Sequence, residues 1–195
     1  MSGVLVAAAT RWESEPIRRA AGSRPVTVLR TGMGPAAASA ALAGLQARPG
    51  LVISAGFAGA LQPDLRCGDL VAAELTPCPD PAAALRRLRP EVRFGAIAGS
   101  DRVLRLPAEK ADLGRRTGAL AVDMESAAVG GWARGRGLPA LAVRVIFDEL
   151  DRPLPALGWA AADPFSWPRL LALWPAQRRA SAVLAAVMKA LLEAL

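Results

Sequence analysis

Apolar residues fall along this chain in short unbroken runs, separated by stretches where apolar and polar residues recur at helical spacing. Val4 to Ala9 reads as a buried strand, as do Val26 to Leu29, Leu51 to Ser54 and Ala140 to Ile146. Gly68 to Ala72, Phe94 to Ala98 and Ala119 to Val122 are further strand candidates. Helices are predicted over Glu15 to Ala21, Ala36 to Leu45, Pro107 to Arg116 and Ser126 to Arg136. Pro35 suits the start of the second, because a first turn leaves its N–H groups unpaired anyway. Gln177 to Leu195 has the pattern of one closing amphipathic helix. The stretch Ala55-Gly56-Phe57-Ala58-Gly59 reads as a glycine-rich loop leaving the third strand.

Strands alternating with helices predict an α/β layered sheet with helices on both faces. Continuous apolar strands belong at its centre, buried on both sides. The length and the absence of an internal repeat predict one domain over residues 1–195. Ligands of such sheets bind beyond strand ends, where loops converge. The segments to watch are therefore 10–15, 30–34, 54–59, 99–104, 123–126 and 147–151. After Asp151 prolines break up a stretch that also holds Trp159, Trp167 and Trp174.

Composition narrows the chemistry. The chain is 53% apolar and 21% charged, which is globular rather than disordered. No run approaches the roughly 18 apolar residues of a membrane span. The start lacks the basic region of a signal peptide, so a cytoplasmic protein is expected. Cys67 and Cys78 are then expected as free thiols. The chain has no histidine, which removes Ser-His-Asp catalysis and most zinc sites. Acid–base work falls to carboxylates or lysine. The net charge of +7 is carried mostly by arginine. It fits an anionic partner or simply the codon usage of a GC-rich genome, but zinc-finger spacing and aromatic–basic interleaving are missing, so no nucleic-acid partner is expected.

Taken singly, the candidate motifs are ambiguous. Asp123-Met124-Glu125-Ser126 lies between a strand and a helix, with one carboxylate expected inward and one outward. Asp123 or Ser126 could equally cap the helix. Asp148, Glu149 and Asp151 follow an apolar strand, where burial would raise a carboxyl pKa and suit a general acid; a solvated acidic turn is the plainer reading. Gly32 and Gly34 before Pro35 would let N–H groups approach an anion at a helix start, or simply make a turn.

In combination the motifs resemble the nucleoside phosphorylase and nucleosidase family. Arg30-Thr31-Gly32-Met33-Gly34 is similar to its second loop, and Ser54 to Leu61 with Gly68-Asp69-Leu70-Val71 to its central glycine segment. Val122 to Ala128 resembles its ribose-binding motif, and Arg144-Val145-Ile146-Phe147-Asp148 its Arg-x-x-x-Asp strand end. The matches keep the family's order over about residues 3 to 152. The resemblance implies a three-layer α/β/α sandwich around a mixed, mostly parallel sheet. It implies that Glu125 holds the ribose hydroxyls with Met124 packed on the sugar, and that Asp148 protonates the leaving purine. Val103 and Leu104, with Phe57, Ala58 and Gly59, would contact substrate. Glu13 would orient an attacking water, whereas Arg30 and Gly32 would hold phosphate or water. No metal or organic cofactor is implied, though phosphate is a possible co-substrate.

Within the family, Gly99-Ser100-Asp101-Arg102, Glu109-Lys110, Gly118 to Ser126 and Arg152-Pro153-Leu154-Pro155 resemble the hopanoid-associated phosphorylases. That implies an adenine nucleoside substrate, adenosylhopane in hopanoid biosynthesis, cleaved by phosphorolysis or hydrolysis. Trp159, Phe165, Trp167, Leu170 and Trp174 would then line an apolar channel or touch the inner membrane face; covering the core or a homodimer interface is the other reading. The alternatives are a methylthioadenosine/S-adenosylhomocysteine nucleosidase and, in another class, an inactive member acting as a ligand-binding protein.

Overall fold

The apolar runs form one eight-stranded sheet in the computed structural model, which describes residues 3–46, 48–155 and 174–195. At its centre β1 (Val4–Ala8) and β3 (Leu51–Ala60) run parallel, and β3 is parallel to β8 (Ala140–Asp148). β2 (Val26–Arg30) flanks β1 in parallel, and β4 (Leu70–Thr76) runs antiparallel beside β8, followed by β5 (Arg93–Phe94). The path is β2-β1-β3-β8-β4-β5. The far end of β3 also pairs antiparallel with β7 (Ala121–Asp123), which carries β6 (Ile97–Gly99) on its other edge. The sheet is mixed and mostly parallel.

Successive residues of a strand point to opposite faces, so an unbroken apolar run serves two cores. Val6, Ile53 and Val143 face α1 (Arg11–Ala21), α3 (Pro79–Leu88) and α6 (Trp174–Ala194), packing with Ile17, Leu85, Leu184 and Leu191. Leu5, Val52 and Ala140 face α2 (Pro35–Ala43) and α5 (Ser126–Arg134), packing with Leu42, Val129 and Ala133. The result is a three-layer α/β/α sandwich. α4 (Pro107–Thr117) lies toward β7, where Leu113 packs with Leu61, Ala119 and Val122.

Three elements differ from the sequence reading. The glycine-rich stretch at 55–59 is strand, the second half of β3, rather than a loop. Its glycines mark close approaches of side chains to backbone, as strand glycines often do. α1 begins at Arg11 rather than Glu15, because Thr10 and Glu13 form an N-terminal cap upstream of Pro16. Pro16 has no N–H for the Trp12 carbonyl, which instead accepts a hydrogen bond from Ser181 Oγ of α6 at 3.3 Å. α3 was not expected at all, because its proline-rich start reads as a loop. Cys67 and Cys78 are free thiols. No described helix is long and apolar enough to cross a membrane. Trp159, Phe165, Trp167 and Leu170 lie outside the described residues, whereas Trp174 opens α6.

Candidate active site

The segments singled out in the sequence converge beyond the ends of β1, β3 and β8 around a cavity of about 280 Å³. Glu13, Phe57, Ala58, Gly59, Val103, Leu104, Met124, Glu125 and Asp148 all line it. Arg30 and Gly32 do not. Arg30 is exposed at the end of β2, and Gly32 follows Thr31, which borders a closed notch beneath the cavity. The rings of Phe57 and Phe147 stack with centroids 5.7 Å apart and form an apolar wall. Trp12, Met33 and Trp174 stand at the mouth, each more than half exposed.

Glu13 sits in the first turn of α1 and is buried. Its Oε2 accepts hydrogen bonds from the backbone N–H and the hydroxyl of Thr10, both at 2.7 Å. Its Oε1 accepts the N–H of Phe57 at 2.8 Å. Three donors from two elements hold one carboxylate. Gly56 makes room for it, since a Cβ there would lie 2.4 Å from Oε1.

Glu125 faces the same space from the end of β7. Its Oε1 accepts the N–H of Gly34 at 2.7 Å, and Gly34 has a φ of +92° that favours glycine. The anion met by this glycine turn is therefore the protein's own carboxylate. Burial raises the Glu125 pKa above its ordinary value, and the Gly34 N–H opposes the rise.

Asp123 also points inward, so neither acid of the motif is the outward one that the sequence suggested. It caps α5 by accepting the Ser126 N–H and hydroxyl, and it pairs with Arg144 Nε at 2.6 Å. Arg144 is buried in the sheet and also donates to the Ser54 carbonyl and to the hydroxyls of Ser54 and Ser126. This pair is structural and engages Arg144, the one buried guanidinium among the described residues.

Asp148 ends β8 at a β-bulge. Pairing shifts between Ala58 and Gly59, so Gly59 stands opposite Asp148 and Phe147 is left without a partner on β3. Gly59 has no side chain to block the carboxyl, whose oxygens lie 3.2 and 3.3 Å from where a Cβ would be. Burial raises the Asp148 pKa, and the nearby Lys110 ammonium pulls it back down. Lys110 reaches Asp148 Oδ2 at 2.9 Å from α4 and is fully buried. Sequence reading missed it, since a lone lysine on a polar helix carries no signal of inward direction. Asp148, Glu125 and Glu13 thus face one cavity, the first paired with a buried ammonium and the other two held by backbone N–H donors. Among the described residues, no group of three or more cysteines or acids is placed to hold a metal ion.

The sequence matches the family model of the Phosphorylase superfamily over residues 15–76 and 73–187. No curated protein matches it. Among solved structures, it is similar to a Helicobacter pylori methylthioadenosine nucleosidase variant with 5′-methylthioadenosine in the active site, at 18% identity over all of both chains and a TM-score of 0.79. It is similar to the futalosine hydrolase of Helicobacter pylori at 18% identity, over 100% of this chain and 98% of that one, with a TM-score of 0.78. The S. pneumoniae 5′-methylthioadenosine/S-adenosylhomocysteine nucleosidase with a transition-state inhibitor matches at 20% identity, over 97% and 99%, with a TM-score of 0.74. At these identities the likeness is one of fold.

Proposed function

Since this chain belongs to the Phosphorylase superfamily, a family of enzymes that cleave N-glycosidic bonds, we propose that it hydrolyses the N-ribosidic bond of an adenine nucleoside. The observation that carries the reading is that Asp148, Glu125 and Glu13 face one cavity in three different hydrogen-bonding environments. An adenine anion is a poor leaving group, and protonation at N7 by buried Asp148 removes the difficulty. The sugar becomes oxocarbenium-like as the bond stretches. Glu125 accepts hydrogen bonds from the ribose hydroxyls and lends negative charge near the developing cation, while Met124 packs on the ring. Glu13 takes a proton from the water that adds at C1′. The C1′–N bond breaks with its electron pair going to the base, so ribose and neutral adenine result. Asp148 is left ionised and Glu13 protonated, and solvent restores both. The chemistry needs neither a metal nor an organic cofactor.

Water is favoured over phosphate by the charges at the cavity. Glu13 and Glu125 both turn carboxyl oxygens toward the cavity, and the Gly34 N–H is already taken by Glu125. The cations lining the cavity or its notch are committed, Arg144 to Asp123 and Arg102 to Glu109 at 2.7 Å. Among the described residues that line the cavity or its notch, phosphate would meet two carboxyl groups and no unpaired cation. Arg30 and Gly32 remain the residues through which phosphorolysis would have to act.

The exposed Trp12, Met33 and Trp174 at the mouth, with Leu154 inside it, favour a substrate whose 5′ substituent is apolar and long. A lipid-bearing adenosine of the adenosylhopane type fits that rim, with the enzyme resting against the membrane surface that holds the lipid. A homodimer would cover the same residues from outside. The test is adenine release from a nucleoside panel with and without phosphate. Phosphate-independent release of free ribose is expected, with Asp148→Asn folded and largely inactive. Strict dependence on phosphate would overturn the hydrolytic reading, and an Asp148→Asn variant of near-normal rate would remove Asp148 from the mechanism.

A further inference from the structure

Lys110 is one of only two lysines in a chain whose other cationic side chains are all arginine, and it is fully buried. Its ammonium has three N–H donors and no acceptor. One goes to Asp148 Oδ2 at 2.9 Å, one to the Glu149 carbonyl and one to the Arg152 carbonyl at 3.0 Å. The lysine thus ties α4 to the segment that carries the acid. That segment is also stitched to the loop preceding α4, because the Leu154 N–H donates to the Arg105 carbonyl at 2.9 Å and Arg105 Nε donates to the Leu154 carbonyl at 3.3 Å. Val103 and Leu104 sit in that same loop.

We propose that Lys110 is a positioning residue that decides which oxygen of Asp148 carries the transferable proton and that stabilises the carboxylate left behind. This rests on the assignment of Asp148 as proton donor. An ammonium can only donate, and the carbonyl oxygen of a protonated carboxyl accepts better than its hydroxyl oxygen, so Lys110 favours Oδ2 as the carbonyl. The proton is held on Oδ1, which takes no side-chain donor among the described residues, and from there it passes to N7 of the base. Once it has gone, the buried carboxylate keeps a cation within contact distance. Burial alone would make Asp148 a reluctant acid, and Lys110 acts against that.

Other charges near Asp148 are engaged elsewhere. Glu149 accepts the Cys67 N–H and lies 3.5 Å from Arg152. Asp123 is paired with Arg144, Glu125 with the Gly34 N–H, Glu13 with Thr10 and Phe57, and Arg102 with Glu109. Arg179 of α6 approaches Gly68 rather than the acid, and β3 offers only Gly59 at the contact.

The experiment is the pH dependence of kcat/KM for the wild type, Lys110→Met and Asp148→Asn. Each is assayed on an adenine nucleoside and on 4-nitrophenyl riboside, whose leaving group needs no proton. In the wild type the rate falls as pH rises through the Asp148 pKa. In Lys110→Met this limb should move up by roughly one pH unit or more, with kcat for the nucleoside reduced about tenfold and KM little changed. The 4-nitrophenyl riboside should lose far less. If Lys110→Met does not fold, Lys110→Gln keeps amide donors for the two carbonyls without the charge, and its limb should move the same way. A limb that stays in place, or an equal loss on both substrates, would make Lys110 a purely structural tie and overturn the inference. Near-normal nucleoside cleavage by Asp148→Asn would instead overturn the assignment of the acid itself.

Discussion

Glu125 and Arg144 line the same notch, but Arg144 is paired with Asp123 while Glu125 is the group proposed to hold the ribose. Glu125→Gln keeps an oxygen for the Gly34 N–H but loses the charge. We expect weaker binding and a lower rate, with the wild-type penalty for a 2′-deoxy substrate largely gone in the variant. An unchanged penalty, measured from kcat/KM ratios, would place the ribose contact elsewhere. The same variant has a stability signature. Burial raises the folded-state pKa of Glu125 above its ordinary value of 4.5, so its contribution is present below that value and lost as pH rises through the raised one. Glu125→Gln should therefore gain stability relative to the wild type on going from pH 4 to 8, as denaturant midpoints would show. Arg144→Met leaves Asp123 buried without its cation, and a loss of about 3–5 kcal/mol is expected in urea unfolding. At this scale the sequence was legible where a residue type sits in a family motif, as with Glu125 and Asp148. It was silent on Lys110, whose role depends on the direction α4 takes. It also misjudged the pair of acids: Asp123 ends β7 and Glu125 is the N-cap of α5, and this turn leaves both facing the cavity rather than one of them outward.

β3 shows how an element can be misread from composition. Glycines at 56 and 59 resemble a loop, yet both lie in strand and each faces a carboxylate. Gly56→Ala would set a methyl 2.4 Å from Glu13 Oε1. The side chain can swing away, so the fold should survive with a small drop in Tm. Glu13 would lose the Phe57 N–H, and a fall in kcat of tenfold or more is expected; an unaffected kcat would show that Glu13 need not sit there. The bulge facing Gly59 was equally hidden, because register belongs to the pairing of two strands and not to either sequence alone. α4, by contrast, was read almost to its ends, since Pro107 opens it and Gly118 closes it in a left-handed conformation.

For the molecule as a whole, the layered architecture followed from alternating apolar runs, and the cavity lies where such sheets place ligands. What the runs do not disclose is the mixed direction of the sheet: β4 returns antiparallel beside β8, a pairing between distant segments. The rim of Trp12, Met33 and Trp174 is drawn from separate elements, so the apolar 5′ preference proposed for it is a property of the assembled protein. In a series of adenosines with 5′ alkyl groups of increasing length, kcat/KM should climb above that of methylthioadenosine, since each buried methylene contributes up to about 0.8 kcal/mol. Trp12→Ser with Trp174→Ser should flatten the climb. A flat series in the wild type would leave the rim to a protein partner.

The burial of Lys110 also makes the protein its own clock. Lys189, on the outer side of α6, is the only other lysine and is exposed, so an amine-acylating reagent marks it at once. Lys110 can react only when α4 and the 148–152 segment part, an event whose frequency reflects local stability rather than global unfolding. The ratio of the two labels, followed over hours by peptide mass spectrometry, counts those partings without any substrate turnover. A tight-binding nucleoside analogue that engages Asp148 should slow the count at Lys110 and leave Lys189 untouched.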